Sequence, residues 1–169
     1  YVIEKLVRIP VEVDLASEFR YREPLVDENS LVIAISQSGE TADTLEALRE
    51  AKRRGAKVVS VVNVVGSSIA MESDGVLYTW AGPEISVATT KAYSTQLVMM
   101  YMIAIYFAQQ RNHLDEEKYQ YYIAELQKLP ELVQKTLQNK ETIQYVASRH
   151  FNAKNIFFIG RNIDYALSL

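Results

Sequence analysis

The sequence predicts an α/β protein with a doubly wound parallel sheet between two layers of helices, a three-layer αβα arrangement. Two short runs, LVIAI (31–35) and KVVSVVN (57–63), are rich in β-branched residues and typical of strands buried on both faces. A stretch with helical spacing separates them, which favours parallel strands joined by right-handed crossovers. Hydrophobic residues make up 49% of the chain, enough for a well-buried core.

The elements of the first half are predicted in chain order. YVIEKL (1–6) indicates a helix and VEVDLA (11–16) a strand. The segment TADTLEALREAKRRG (41–55) has acidic residues early and basic residues late, which matches the helix dipole, and Gly55 is placed to end that helix. GVLYTW (75–80) is the third strand of the predicted sheet.

The second half is predicted to be mainly helical. A long helix runs from about 89 to 110, and its apolar run at 97–108 is too short for a membrane span, which needs roughly 20 residues. We therefore expect a helix buried on most of its surface, in the core or in a subunit interface. Asp115 to Arg149 is helical, with one break at Pro130.

The last elements are a strand, NIFFIG (155–160), and a helix, RNIDYALSL (161–169). That helix has no stop signal, and the helix at the N-terminus has no start signal. The sequence therefore predicts a chain truncated at both ends.

Composition excludes several classes of function. The net charge of −3 argues against a nucleic-acid-binding surface. There is no cysteine, and His113 and His150 are far apart, so we expect no metal site. No signal peptide or membrane span is visible, and we expect a cytoplasmic protein without a membrane partner.

The stretch SQSGET (36–41) is the main candidate site. It follows a strand and opens a helix, and ligands of open α/β sheets bind at the carboxyl ends of strands. Backbone N–H groups, with Gly39 permitting close approach, can hold a phosphate without Lys, and Ser36, Ser38 and Thr41 add hydroxyl donors. The alternative is a capped turn that binds nothing, and local composition leaves both open.

A second polar stretch, GPEISVATTKAYSTQ (82–96), also follows a strand and opens a helix, so it could form the opposite wall of the same crevice. Thr89 and Thr90 are candidate partners of sugar hydroxyls, and Lys91 could meet an anion. The alternative is helix capping with Lys91 in solvent.

Four segments together resemble a known family: SQSGET, DLASEFRYR (14–22), EISVATTKAYSTQ (84–96) and GRNIDYALSL (160–169). They are similar to the isomerase part of the glutamine–fructose-6-phosphate aminotransferases, the glucosamine-6-phosphate synthases. S-x-S-G-x-T by itself indicates only the wider sugar-isomerase (SIS) superfamily. The resemblance covers nearly the whole chain and implies the SIS fold, which is flavodoxin-like or Rossmann-like.

The resemblance also implies roles for individual residues. The phosphate of fructose 6-phosphate would be bound by Ser36, Gln37, Ser38 and Thr41. The carbonyl of Val87 and the side chain of Thr89, where relatives often carry Ser, would lie near the sugar. No metal and no organic cofactor is implied.

The family architecture implies three parts. Residues 1–110 would be the first SIS domain without its first strand, 111–150 the connecting helices, and 151–169 the start of a second SIS domain. The groups that open the sugar ring and transfer protons belong to parts of the family missing here, so this chain would contain no catalytic residue and be inactive alone. The intact enzyme would be a homodimer that combines ammonia from glutamine with fructose 6-phosphate to give glucosamine 6-phosphate.

Two alternatives within the SIS superfamily remain. One is a phosphosugar isomerase or a deglycase, which would share SQSGET but need not have ASEFRYR (16–22). The other is a sugar-phosphate-sensing transcription regulator, which would require a helix-turn-helix with a basic face, and none appears in the sequence.

Overall fold

A three-stranded parallel sheet lies at the centre of the computed structural model, which describes residues 1–85 and 89–168. The strands are β1 (Leu31–Ser36), β2 (Lys57–Val62) and β3 (Gly75–Tyr78), in the order β1-β2-β3. The register pairs Ser36 with Val62 and Val62 with Tyr78. All three strands therefore end at one edge, and the segments that follow them begin side by side.

The described helices, in chain order, are α1 (Val2–Val7), α2 (Ala16–Phe19), α3 (Ala42–Arg53), α4 (Ser68–Glu72), α5 (Lys91–Gln110), α6 (Glu116–Gln138), α7 (Lys140–His150) and α8 (Ile163–Ser168). Helix α3 packs on β1 and β2, α4 packs on β2, and α1 packs against α5. The predicted three-layer α/β fold with a parallel sheet is confirmed. Helix α4 lies between β2 and β3, in a segment for which the sequence predicts no element of its own.

The core forms between α3, α4 and the sheet because α3 carries its apolar residues at helical spacing. Leu48 and Ala51, three positions apart, lie on the same face and are buried. The helix ends before Gly55, whose φ of +91° is readily adopted only by glycine. The buried cluster comprises Ala34, Leu48, Ala51, Ala56, Val58, Val62, Ile69 and Ala70.

Helix α5 is less buried than its sequence predicts. Ile103, Ala104 and Ala108 form a buried stripe, whereas Met102 and Tyr106 on the other side are exposed. Helices α1 and α6 both contact α5, yet Met102 and Tyr106 stay exposed, so contacts within the described residues leave part of its apolar surface uncovered. Among those residues no helix combines the length and the apolar character that a bilayer crossing requires.

The strand predicted at 11–16 is wrong. Residues 11–15 have no regular structure, and α2 begins at Ala16. The Val13 and Leu15 side chains are exposed, and Arg22 forms ion pairs with Glu12 and Asp14 instead. The alternating pattern is local, whereas a strand also needs a neighbouring strand to receive its hydrogen bonds.

The break predicted at Pro130 is also misplaced. Helix α6 continues through Pro130 to Gln138, and the interruption before α7 falls at Asn139. Proline removes one backbone donor and disturbs one turn. Here the flanking Leu, Lys, Glu and Gln residues are strong helix formers, and the helix persists on both sides.

The third correction concerns the strand predicted at 155–160. This segment has no regular structure, and Ile156, Phe157 and Ile159 are exposed. Within residues 1–85 and 89–168 the sheet contains only β1, β2 and β3, so this apolar run has no strand to pair with. The helix predicted after it is confirmed as α8.

We expect Leu48→Ala to lower the free energy of unfolding by about 2–5 kcal/mol, because it removes buried methyl groups and leaves a cavity. Leu48 is 1% exposed, whereas Leu25 is 100% exposed, so Leu25→Ala is the matched control. Equilibrium urea unfolding of the 169-residue chain measures both. Equal effects of the two substitutions would place Leu48 outside the core.

Candidate functional site

The candidate site is the 36–41 loop, which joins the end of β1 to the start of α3. Ser36 is the last residue of β1, and Thr41 occupies the N-cap position of α3. The loop therefore lies at the carboxyl edge of a parallel sheet and at a helix N-terminus, as the sequence predicts. Ligands of open α/β sheets bind at such an edge.

The hydroxyl groups of the loop form hydrogen bonds within the loop. Ser36 is 6% exposed, and its Oγ accepts the Gly39 N–H at 3.0 Å and lies 3.0 Å from Thr41 Oγ1. If Ser36 donates to Thr41, the Thr41 proton remains free to donate to a ligand. Ser38 Oγ accepts the Glu40 N–H at 3.2 Å and likewise keeps its own proton. Two outer hydroxyls can thus donate while the inner one holds the loop.

The N-terminus of α3 is not closed by its own N-cap residue. Within the described part of the chain, the Thr41 side chain makes no capping hydrogen bond to the helix. A simple capped turn would require such an acceptor, and Thr41 instead contacts Ser36. The first N–H groups of α3 therefore keep their capacity for an anion, supported by the helix dipole.

Charged side chains near the loop are already paired. The loop contains neither Lys nor Arg. Arg20 of α2 donates to Asp43 in the first turn of α3, with Nη1 and Oδ1 2.8 Å apart, and this hydrogen bond raises the pKa of Arg20. Since Arg20 offsets the Asp43 carboxylate, the start of α3 remains favourable for an anion.

Gly39 is required in the loop for two reasons. Its φ is +69°, a conformation in which other residues are strained. A Cβ at this position would lie 2.0 Å from Ser67 Oγ, a contact too close to exist without movement. Ser67 is 2% exposed, and its Oγ has no hydrogen-bond partner among the described residues.

Asn63, directly after β2, links the loop that follows β1 to the segment that follows β3. Its N–H donates to the Gln37 carbonyl at 3.0 Å. Its side-chain oxygen accepts from Thr79 Oγ1 at 3.0 Å and from Ala81 N at 2.8 Å, and its side-chain nitrogen donates to the Gly82 carbonyl at 2.8 Å. Asn63 is not among the predicted site residues, and the one trace of its role in the sequence is a polar amide directly after a buried strand.

The residues predicted to lie near the sugar are described only in part. Val87 lies outside the described residues. Thr89 is half-buried with a φ of +49°, which is unusual for a β-branched residue. No hydrogen bond among the described residues joins Thr89 to the 36–41 loop. The structure therefore brings Ser36, Gln37, Ser38 and Thr41 together in one loop, and no hydrogen bond among the described residues adds Thr89 to them.

The start of α5 differs from the start of α3. Glu84 Oε2 lies within hydrogen-bonding distance of the N–H groups of Thr90, at 3.3 Å, and Ala92, at 3.4 Å. Lys91 Nζ donates to the Pro83 carbonyl at 2.7 Å and so closes the preceding turn. An anion would meet a carboxylate at α5 but uncapped amides at α3, which makes the 36–41 loop the better anion site.

Two other kinds of site find no support in the described residues. No group of three or more acidic or histidine side chains there could hold a metal ion. A surface depression beside α3 presents Arg49 and Lys52, but Arg49 is paired with Glu46 and Glu72 at 2.6 Å each. Lys52 donates to the Glu72 carbonyl at 2.7 Å, so neither of these two cations is free for an anion.

These features define a class of protein. A parallel α/β sheet carries a hydroxyl-rich glycine loop at its carboxyl edge, and residues 1–106 match the SIS domain family. The chain belongs to the SIS domain family. That family assignment covers β1, β2, β3 and most of α5.

Particular relatives are more similar over the whole chain. The chain is 59% identical over 169 residues to a glutamine–fructose-6-phosphate aminotransferase (isomerizing) of Caldanaerobacter subterraneus subsp. tengcongensis, and 57% identical to that of Clostridium tetani. It spans 28% of the length of each. The solved C-terminal domain of glucosamine-fructose-6-phosphate aminotransferase from Francisella tularensis superposes with a TM-score of 0.95 at 38% identity, covering 99% of this chain and 48% of that one.

We expect Gly39→Ala to destabilise the fold more than Gly66→Ala. Both glycines have positive φ, +69° and +75°, so both substitutions incur strain of about 1–2 kcal/mol. Only Gly39 would also clash with Ser67, since nothing lies within 4 Å of a Cβ at Gly66. Urea unfolding measures the difference, and Ser67→Gly should restore part of the Gly39→Ala loss. Equal losses for both alanine variants would contradict the close packing against Ser67.

Proposed function

We propose that this chain is a sugar-phosphate-binding part of an isomerizing glutamine–fructose-6-phosphate aminotransferase. The observation that carries the proposal is the 36–41 loop, where free hydroxyl protons and the uncapped start of α3 converge without a cation. This arrangement suits the phosphate of a phosphosugar, because backbone amides and neutral donors can hold an anion at a helix N-terminus. The similarity of the whole chain to such aminotransferases supports the substrate class.

The loop residues take different roles in this proposal. Ser38 and Thr41 donate their free hydroxyl protons to phosphate oxygens. Gln37 contributes its half-buried side chain, which makes no hydrogen bond to the described residues. Ser36 is the fourth proposed phosphate-binding residue, and it acts through the Thr41 hydroxyl, which its Oγ orients. Val87, through its carbonyl, and Thr89 contact the sugar.

The reaction proposed for the full-length protein is the conversion of fructose 6-phosphate and glutamine-derived ammonia to glucosamine 6-phosphate. Residues 1–110 form the first SIS domain, 111–150 the connecting helices, and 151–169 the start of a second SIS domain. Proton transfer between C1 and C2 of the sugar requires acid and base groups that we place outside this chain. The chain alone then binds substrate without turnover.

The full-length protein is proposed to be a cytoplasmic homodimer. The exposed Met102 and Tyr106 side of α5 supports a subunit contact, because exposed apolar side chains on one helix face are stabilised when a partner covers them. Sedimentation equilibrium at micromolar concentration tests this assembly. A monomer under these conditions would rule out the dimer.

Ligand-observed NMR titration of the chain with fructose 6-phosphate tests the proposed binding. We expect saturable binding of fructose 6-phosphate and little binding of fructose, because the 36–41 loop recognises the phosphate. Inorganic phosphate should compete for the same site. If neither this chain nor the full-length protein binds fructose 6-phosphate while circular dichroism shows both folded, the proposal is wrong.

We expect Ser38→Ala to weaken binding of fructose 6-phosphate by about 1–3 kcal/mol, because one hydrogen bond to a charged group is lost. Ser148→Ala on α7 is the matched control, since its Oγ donates to the Tyr145 carbonyl of its own helix and to no other group among residues 1–85 and 89–168. The same NMR titration gives both affinities. An unchanged affinity for the Ser38 variant would remove this residue from the site.

A further inference from the structure

Glu40 is the one residue of the 36–41 loop whose chemistry does not suit a phosphate site. Its carboxylate is negative and lies in the same loop as the proposed donors Ser38 and Thr41. A carboxylate facing a phosphate dianion would repel it, and the loop holds no Lys or Arg to offset that charge. The position of the Glu40 side chain therefore decides whether the loop can bind phosphate.

Both carboxylate oxygens of Glu40 are directed at one residue of α4. Oε1 accepts the Ser68 N–H at 2.8 Å, and Oε2 accepts the Ser68 hydroxyl at 2.7 Å. The hydroxyl bond first, and the amide bond second, lower the pKa of Glu40. The carboxylate is thus ionised at neutral pH and is held by the first residue of α4.

The same end of α4 holds the neighbouring Gly39 as well. The Ile69 N–H donates to the Gly39 carbonyl at 3.0 Å, and Ser67 fills the space that a Cβ at Gly39 would need. Residues 67–69 therefore contact the 39–40 dipeptide at several points. The bonds within the 36–41 loop are local, so these contacts, together with the Asn63 N–H bond to the Gln37 carbonyl, fix the loop relative to the rest of the sheet edge.

We propose that Glu40 is a positioning residue that ties the 36–41 loop to Ser68. The contact presents the Ser38 and Thr41 donors in their binding geometry and turns the one negative charge of the loop away from the phosphate. This inference rests on the proposed function. Preorganised donors bind an anion more tightly than donors that must be ordered during binding.

Substitution of Glu40 distinguishes a positioning contact from a purely structural one by the kinetic constant that changes. Loss of a purely structural contact lowers the amount of folded protein and hence the apparent kcat, with an unchanged KM for fructose 6-phosphate. Loss of a positioning contact raises that KM, because the loop donors are no longer held for the phosphate. Glu40→Gln can keep both Ser68 contacts, since the new side-chain oxygen accepts the Ser68 N–H and the new NH2 group donates to the Ser68 hydroxyl oxygen.

Steady-state kinetics of the full-length protein with fructose 6-phosphate test the proposal. We expect Glu40→Ala to raise the KM for fructose 6-phosphate about tenfold or more, the size expected for losing hydrogen bonds to a charged group. Glu40→Gln should raise it less than about threefold, and Ser68→Ala by an intermediate factor. The double variant Glu40→Ala/Ser68→Ala should be no worse than Glu40→Ala, because both changes remove the same contact.

Glu117→Ala is the matched control, since Glu117 is an exposed acid in the first turn of α6, away from the loop. Hydrogen exchange of the ligand-free protein is the second measurement, and the amides of residues 36–41 should exchange faster in Glu40→Ala than in the wild type. A Glu40→Ala variant with the KM and exchange of Glu117→Ala would overturn the proposal. Wild-type protein that binds no phosphosugar would instead remove the proposed function, and the two failures are therefore distinguishable.

Discussion

The parallel register of the sheet is the constraint on which the rest of the structure depends. Because Ser36, Val62 and Tyr78 lie at the same level, the segments after all three strands meet at one edge. Asn63 can then reach the Gln37 carbonyl on one side and the Gly82 carbonyl on the other. The buried side chains between α3 and the sheet, Leu48 and Val58 among them, keep this register in place.

The second constraint is electrostatic, because the candidate site is built without a free cation. Arg20 is paired with Asp43, and the Glu40 carboxylate accepts hydrogen bonds from Ser68. These three charged groups are therefore already engaged with protein partners. What remains is the positive end of the α3 dipole and hydroxyl donors, a combination that favours an anion through direction and hydrogen bonding. The carboxylate of Glu84 at the start of α5 makes the second helix terminus unlike the first.

The failures of sequence reasoning share one physical cause. The segments at 11–16 and 155–160 have strand-like composition, but no strand of the described residues lies beside them, and backbone groups then remain unpaired. Pro130 is predicted to break the helical stretch, yet the flanking residues sustain α6 on both sides of it. Each of these predictions used a local pattern, whereas pairing and helix continuation depend on neighbours that composition does not reveal.

The sequence by itself determined β1, β2, β3, α3 and the location of the 36–41 loop, because buried strands and a dipole-matched helix have strong local patterns. It also predicted Ser36, Gln37, Ser38 and Thr41 as site candidates. Only the tertiary structure decided what Asn63 and Glu40 do. Asn63 contacts Gln37, and Glu40 contacts Ser68, because the segments after the neighbouring strands β1 and β2 lie side by side. Contacts between residues far apart in the chain arise from sheet order and register, which no local spacing encodes.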